Sequence, residues 1–227
     1  MANQKFIVVG CRAWSKDIFD KRISKYPGRW YFIPTKKELN EKAIEKINPR
    51  YIFFLHWSWK VPKGIITRYE CVNFHETDLP YGRGGSPIQN LIIRGHKTTK
   101  VTALRMTESF DAGPIYLKEP LFLEGRAEEI YIKASNLAAD MIFKIINNKI
   151  IPKPQKGKVI IFKRRKPEES KIPECKNIQQ FHDFIRMLDA KDYPRAFIKY
   201  GKYIIEFSKA EFKKNKIKAN VEIWEKF

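Results

Sequence analysis

The sequence predicts an α/β fold with a mostly parallel sheet and right-handed crossovers, completed by a small α+β C-terminal subdomain. Three observations carry this expectation. Short apolar runs, Phe6–Gly10 and Tyr51–Leu55 foremost, read as buried parallel strands, and helical patterns separate them. The 227 residues, 43% of them apolar, suffice for one substantial core without disulfide staples. Beyond Lys163-Arg164-Arg165-Lys166-Pro167 the alternation gives way to a helix and a hairpin, which divides the chain into residues 1–166 and 167–227.

Taken in order, Phe6–Gly10 is a strand ending at its turn, and Ser15 is the expected cap of a helix running to about Lys25. Trp30–Ile33 makes a second strand, Lys36–Ile47 a helix, Tyr51–Leu55 a third strand, Lys63–Tyr69 a helix and Cys71–Phe74 a fourth strand. Pro87 opens a helix that reaches Leu91, and Lys100–Met106 and Ile115–Phe122 alternate as strands. Ala127–Asn147 is the clearest helix, with Ile130, Ala134, Leu137, Met141 and Ile145 on one face. Ile151-Pro152-Lys153-Pro154 breaks the pattern before a strand at Lys158–Phe162. In the tail, Asn177–Leu188 reads as a helix, Tyr200-Gly201-Lys202-Tyr203 as a tight hairpin turn, and Ile217, Ala219, Val221 and Ile223 alternate with polar partners.

The 45 Lys+Arg against 25 Asp+Glu leave a net charge of +20, the one compositional anomaly, and its default reading is attraction to a polyanion. Residues 1–150 carry 25 basic and 15 acidic side chains and residues 151–227 carry 20 and 10, so the excess is spread over both parts. Cys11, Cys71 and Cys175 are odd in number and lack metal-ligand spacing. They imply a reducing, cytoplasmic location and no metal. No apolar stretch approaches the roughly 18 residues of a membrane span, so no membrane partner is expected.

Chemistry concentrates in Asn73-Phe74-His75-Glu76-Thr77-Asp78-Leu79-Pro80-Tyr81-Gly82-Arg83-Gly84-Gly85-Ser86-Pro87. Asn73 and His75 are two apart on a strand, so they share a face, and they stand at a carboxyl end where α/β sheets form crevices. Downstream, Ser109-Phe110-Asp111-Ala112-Gly113-Pro114-Ile115 sets a carboxylate in a loop shaped by Gly and Pro. A His beside a carboxylate serves acid/base chemistry, and an Asn amide can stabilise a carbonyl oxygen gaining charge, so the set suits attack on an acyl group.

Asn-x-His followed by Leu79-Pro80, Arg83-Gly84 and Pro87, with Asp111, Gly113 and Ile115 at a spacing of 38 residues from Asn73 to Asp111, resembles the formyltransferases that use 10-formyltetrahydrofolate. The resemblance covers roughly residues 5–165 and implies a Rossmann-like formyltransferase core, with Glu76-Thr77-Asp78 a departure from the usual pattern. It implies transfer of a formyl group from the folate to a primary amine, with Asn73, His75 and Asp111 catalytic. It places the folate against His56, Trp57, Ser58 and Trp59 and against the segment Arg105, Met106, Thr107 leading to Asp111.

For the acceptor, the compact tail and the basic turn at Arg164 and Arg165 resemble sugar N-formyltransferases of the pseudaminic acid type. That implies a nucleotide-linked 4-amino-4,6-dideoxy sugar as partner. Arg164 and Arg165 are expected to grip its pyrophosphate, Arg12 and Trp14, just past the first strand, are candidates for phosphate and base contacts, and Arg83 and Gly84 are further substrate-binding candidates. Nucleic acid is set aside as partner on this reading, because only some sixty residues follow Pro167. Methionyl-tRNA stands as the alternative acceptor, a non-catalytic basic nucleic-acid-binding module ranks below both, and the tail is a candidate homodimer contact.

Overall fold

The structure, a computed structural model, describes residues 3–225. Its elements are β1 (Lys5–Gly10), α1 (Ala13–Lys21), β2 (Arg29–Ile33), α2 (Glu41–Ile47), β3 (Tyr51–Leu55), α3 (Lys63–Arg68), β4 (Glu70–His75), β5 (Tyr81–Gly84), α4 (Pro87–Ile93) and β6 (Thr98–Arg105). They continue with β7 (Ile115–Phe122), α5 (Ala127–Asn148), β8 (Ile160–Phe162), α6 (Ile178–Arg186), β9 (Ala196–Tyr200), β10 (Tyr203–Lys213) and β11 (Lys216–Glu225).

The chain forms two compact units, neither of them a single stretch. One comprises the residues up to Arg83, Lys100–Leu121 and Ile132–Ile161; the other comprises Gly84–Thr99, Phe122–Tyr131 and the residues from Phe162 onward. The first holds a six-stranded sheet in the order β2-β1-β3-β4-β6-β7. Strands β2, β1, β3 and β4 run parallel, and β6 is antiparallel to β4 with His75 opposite Thr102.

The fully apolar strands β1 and β3 form because both faces of the sheet are covered. On one face Ile7, Val9, Ile52, Phe54 and Cys71 pack with Ile44 of α2 and Ile65 of α3. The alternate residues build an aromatic layer on the other, Phe6 stacking on Trp30 and Phe53 lying against Phe74. Helix α5 lies over α1, where Arg22 reaches Asn136 and the Tyr26 hydroxyl donates to the Ala139 carbonyl. Of the predicted inward residues of α5, Ile130, Ala134, Met141 and Ile145 are buried and Leu137 is half-buried.

The second unit carries a three-stranded sheet, β11-β10-β9, whose central strand meets α6 through Phe207 and Phe181. Arg186 of α6 is buried, paired with Asp183, and donates to the carbonyls of Leu123 and Gly125.

Local differences from the sequence reading have physical causes. Arg12, not Ser15, occupies the cap position of α1; Ser15 is buried and donates to the Leu55 carbonyl, tying the helix to β3. Helix α2 starts at Glu41 because Asn40 accepts from the Ala43 N–H, so Lys36–Leu39 remains a turn. Strand β5 has too many glycines to be legible as a strand; Gly84 lies so close to the Phe162 carbonyl of β8 that a side chain would collide there.

Phe54 is wholly buried in the layer beneath α2 and α3. Phe54→Ala is expected to lower unfolding free energy by about 3–5 kcal/mol, as measured by urea denaturation.

Candidate active site

Strand β4 ends at His75 between β3 and β6, and Asn73 and His75 share the face that carries Cys71. Asp111 comes to them from the loop between β6 and β7. Three features shape that loop. The Arg105 N–H donates to the Pro114 carbonyl and closes its base. Gly113 passes so near the Arg105 carbonyl that any side chain would collide with it. Asp111 itself has a left-handed backbone, φ 52°, a conformation that Asp tolerates better than most residues.

The result is a compact constellation. Asn73 Nδ2 donates to Asp111 Oδ1 at 3.3 Å. A carboxylate only accepts, so the amide nitrogen must face it, and the second N–H of that nitrogen is left for another acceptor. His75 Nδ1 lies 3.8 Å from Asp111 Oδ2, and both side chains are largely buried. His75 Nε2 lies 2.8 Å from the Gly82 carbonyl oxygen. A carbonyl cannot donate, so Nε2 carries the proton and Nδ1 is the basic nitrogen, turned toward the carboxylate. The geometry therefore provides a base whose protonated form a nearby carboxylate stabilises, beside an amide donor.

The departure Glu76-Thr77-Asp78 has structural work. Glu76, one residue past His75, projects to the opposite side, where its Oε1 lies 3.0 Å from His56 Nδ1. His56 Nε2 lies 2.9 Å from Ser135 Oγ on α5. Burial opposes ionisation of Glu76, yet the His56 hydrogen bond and charge, with the His75 charge and its own backbone N–H, hold its carboxyl below the ordinary value of 4.5. The Thr102 hydroxyl donates to the Thr77 carbonyl at 2.6 Å, and Asp78 pairs with Lys100 and Lys118.

The other predicted contacts are distributed differently. His56 is engaged by Glu76 and Ser135 and so helps to build the frame. Trp57 and Met106 pack against the core beneath α2 and α3, and Trp57 meets Trp59 edge to face. Trp59 is 43% exposed and Phe110, beside Asp111, is 72% exposed. An ion pair between Lys63 and Glu108 at 2.9 Å joins the segment after β3 to the Asp111 loop. Ser58 lies 3.7 Å from Cys11 Sγ. The Thr107 hydroxyl donates to the Ser109 carbonyl. The Arg105 guanidinium is taken up by Glu70, which also accepts from Tyr116; Glu70 raises the arginine's pKa, and burial first, then Glu70, raises the tyrosine's.

Among the residues expected to bind the acceptor, Trp14 is buried and edge-on to His56. The carbonyl of Arg12 accepts the first N–H bonds of α1. Arg83 is bonded to Gln155, and Gly84 serves the close approach to Phe162. Arg165 turns inward over Phe184 and donates to the Glu169 carbonyl, its pKa lowered by burial, while Arg164 is exposed. The two guanidiniums do not form a matched pair. Glu76, Ser135 and Gln155 are the site residues that motif reasoning missed. The two prolines preceding Gln155 were the available signal, since they give a rigid path to a polar side chain.

A sheet switching from parallel to antiparallel beside β4, with Asn, His and Asp converging at its end, defines the class. Residues 20–154 match the family model described as "Formyl transferase", and the chain belongs to that family. Residues 167–224 match a second model, "Methionyl-tRNA formyltransferase, C-terminal domain". A methionyl-tRNA formyltransferase of Rickettsia africae is 34% identical over 182 residues, 74% of this chain and 57% of the relative. The chain thus spans under three fifths of that relative's length. The solved structure of a methionyl-tRNA formyltransferase from Clostridium thermocellum superimposes with a TM-score of 0.93 at 44% identity, covering 98% of this chain and all of the other. A 4-N formyltransferase from Francisella tularensis matches with a TM-score of 0.69 at 17% identity, over 88% and 94% of the two chains, a likeness of fold alone.

These findings correct the acceptor expected from the sequence. The sugar N-formyltransferase reading rests on the compact tail and the basic turn at Arg164 and Arg165, and that tail matches a C-terminal domain described for methionyl-tRNA formyltransferases. A solved relative of equal length bears the same description. The nucleotide-linked amino sugar is withdrawn as partner, and so is the dismissal of nucleic acid.

Removing Glu76 leaves His56 buried without its partner. Glu76→Ala is expected to destabilise the fold by about 3 kcal/mol. Because the folded carboxyl titrates below 4.5, its contribution is present at neutral pH and lost as pH falls from that value through the folded one. Glu76→Gln should flatten this part of the acid-unfolding curve, followed by denaturant titration at a series of pH values.

Proposed function

We propose that this protein transfers a formyl group from 10-formyltetrahydrofolate to the amino group of methionyl-tRNA. The observation that carries the acceptor is the match of residues 167–224 to a methionyl-tRNA formyltransferase C-terminal domain, supported by the equal-length relative at 44% identity. The net charge of +20 supports a polyanionic acceptor. The three cysteines are free, which supports action in the cytoplasm.

The residues after β3 and before Asp111 fit a flat heteroaromatic co-substrate. Trp59 and Phe110 offer exposed aromatic surface on two segments bridged by the surface ion pair of Lys63 and Glu108. The buried Trp57 indole N–H has no acceptor among the described residues, a donor that a ring acceptor would satisfy. The folate supplies the formyl group to be transferred. The protein's part follows from the constellation. Asn73 presents its second amide N–H to the formyl oxygen as charge develops there. His75 Nδ1 takes the proton leaving the attacking amine, Asp111 holds the imidazolium so formed, and the same proton passes to the folate nitrogen as its bond to the formyl carbon breaks, releasing tetrahydrofolate and the formamide.

Asn73→Ala is expected to lower kcat by about 10²- to 10³-fold, the effect of losing one oxyanion donor. Trp59→Ala should weaken 10-formyltetrahydrofolate binding about 3- to 10-fold through lost stacking, as measured by fluorescence titration. Incubation with 10-formyltetrahydrofolate and either methionyl-tRNA or a panel of nucleotide-linked amino sugars tests the acceptor. Formylation of methionyl-tRNA, weakened at least about tenfold between 50 and 200 mM salt, is the expected result. Turnover on a sugar alone would overturn the proposal.

A further inference from the structure

We propose that Gln155 is a positioning residue for Asp111 and that Arg83 orients it, so that the arginine of the Arg-Gly motif reaches the catalytic carboxylate through a glutamine. This rests on the role given above to Asp111.

Gln155 uses every hydrogen-bonding site of its amide. Oε1 accepts from Arg83 Nε at 3.1 Å and Nη2 at 2.7 Å. Nε2 donates to the carbonyls of Asp111 and Gly113, each at 2.8 Å. A guanidinium only donates and a carbonyl only accepts, so this orientation of the amide is the one the neighbours permit. The reversed amide would set its N–H groups against Arg83 and its oxygen against two carbonyls.

The backbone delivers Gln155 to this place. Lys153 and Ile115 exchange hydrogen bonds of 2.8 and 2.7 Å as an antiparallel bridge, which puts residue 155, two further on, opposite residue 113. Pro152 and Pro154 restrict the path of the chain that carries it.

The loop needs such an anchor. Asp111 holds a left-handed backbone, and Glu108, Ser109 and Phe110 before it are exposed, so their own burial does not fix the turn. The two carbonyls that Gln155 holds flank the peptide units that aim the Asp111 carboxylate at Asn73 and His75. A displacement of about 1 Å in a positioned group can cost about 10²-fold in rate.

Gln155→Glu tests this. It keeps the shape and a bond to Arg83, but its oxygens cannot donate to the Asp111 and Gly113 carbonyls. With methionyl-tRNA as acceptor, kcat should fall about 10- to 100-fold, with KM for both substrates and the thermal midpoint nearly unchanged. Gln155→Met, which loses both sets of bonds, should lower kcat at least as much. Crystal structures of wild type and Gln155→Glu should show Asp111 Oδ2 farther from His75 Nδ1 in the variant. Wild-type kcat in Gln155→Glu, a loss confined to KM, or an unmoved Asp111 would overturn the proposal. Should the wild type itself fail to formylate methionyl-tRNA, the acceptor reading is at fault, and the crystal comparison alone decides the role of Gln155.

Discussion

The Asp111 carboxylate is where separate parts of the chain meet. It accepts from Asn73 through one oxygen and faces His75 Nδ1 through the other, although it lies 38 residues beyond Asn73. Strand β4 fixes the backbone of both partners: Asn73 is paired with β3 and with β6, and His75 with Thr102 of β6. The carboxylate itself stands on a turn, and its placement depends on Gly113 packing against the Arg105 carbonyl and on bonds to Gln155. A small change of backbone there would leave the strand residues in place and still separate the base from its counter-charge.

The opposite side of β4 shows how a sheet can separate chemistry from support. His75 and Glu76 are adjacent in sequence, and the end of β4 between them sends them to different tasks. His75 faces Asp111, whereas Glu76 enters the buried chain through His56 to Ser135 that binds the ends of β3 and β4 to α5. Buried charge of this kind is costly unless paired, and here Glu76 meets one ring nitrogen of His56 and Ser135 the other.

Much of this was legible in the sequence where the signal is local. The apolar runs of β1 and β3 and the stripe along α5 announce their burial, and residue type, spacing and Gly/Pro loops single out Asn73, His75 and Asp111, which the structure brings together. What was missed depends on partners far away in the chain. Ser15 looks like a cap until Leu55 is placed beside it. His56 looks like a pocket residue until Glu76 and Ser135 enclose it. Arg83 and Arg165 look like phosphate ligands until Gln155 and Phe184 occupy them. The acceptor is a different case. Tail length is no guide to it, since a methionyl-tRNA formyltransferase from Clostridium thermocellum is matched over its whole length by this chain.

The proposed chemistry depends on the Asp111 carboxylate beside His75. Asp111→Asn preserves shape and an oxygen that can accept from Asn73 while removing that charge. Single-turnover formylation by this variant should be slower by about 10²- to 10⁴-fold, with its folded stability no lower than the wild type's. Turnover within about twofold of wild type in the folded variant would contradict the account.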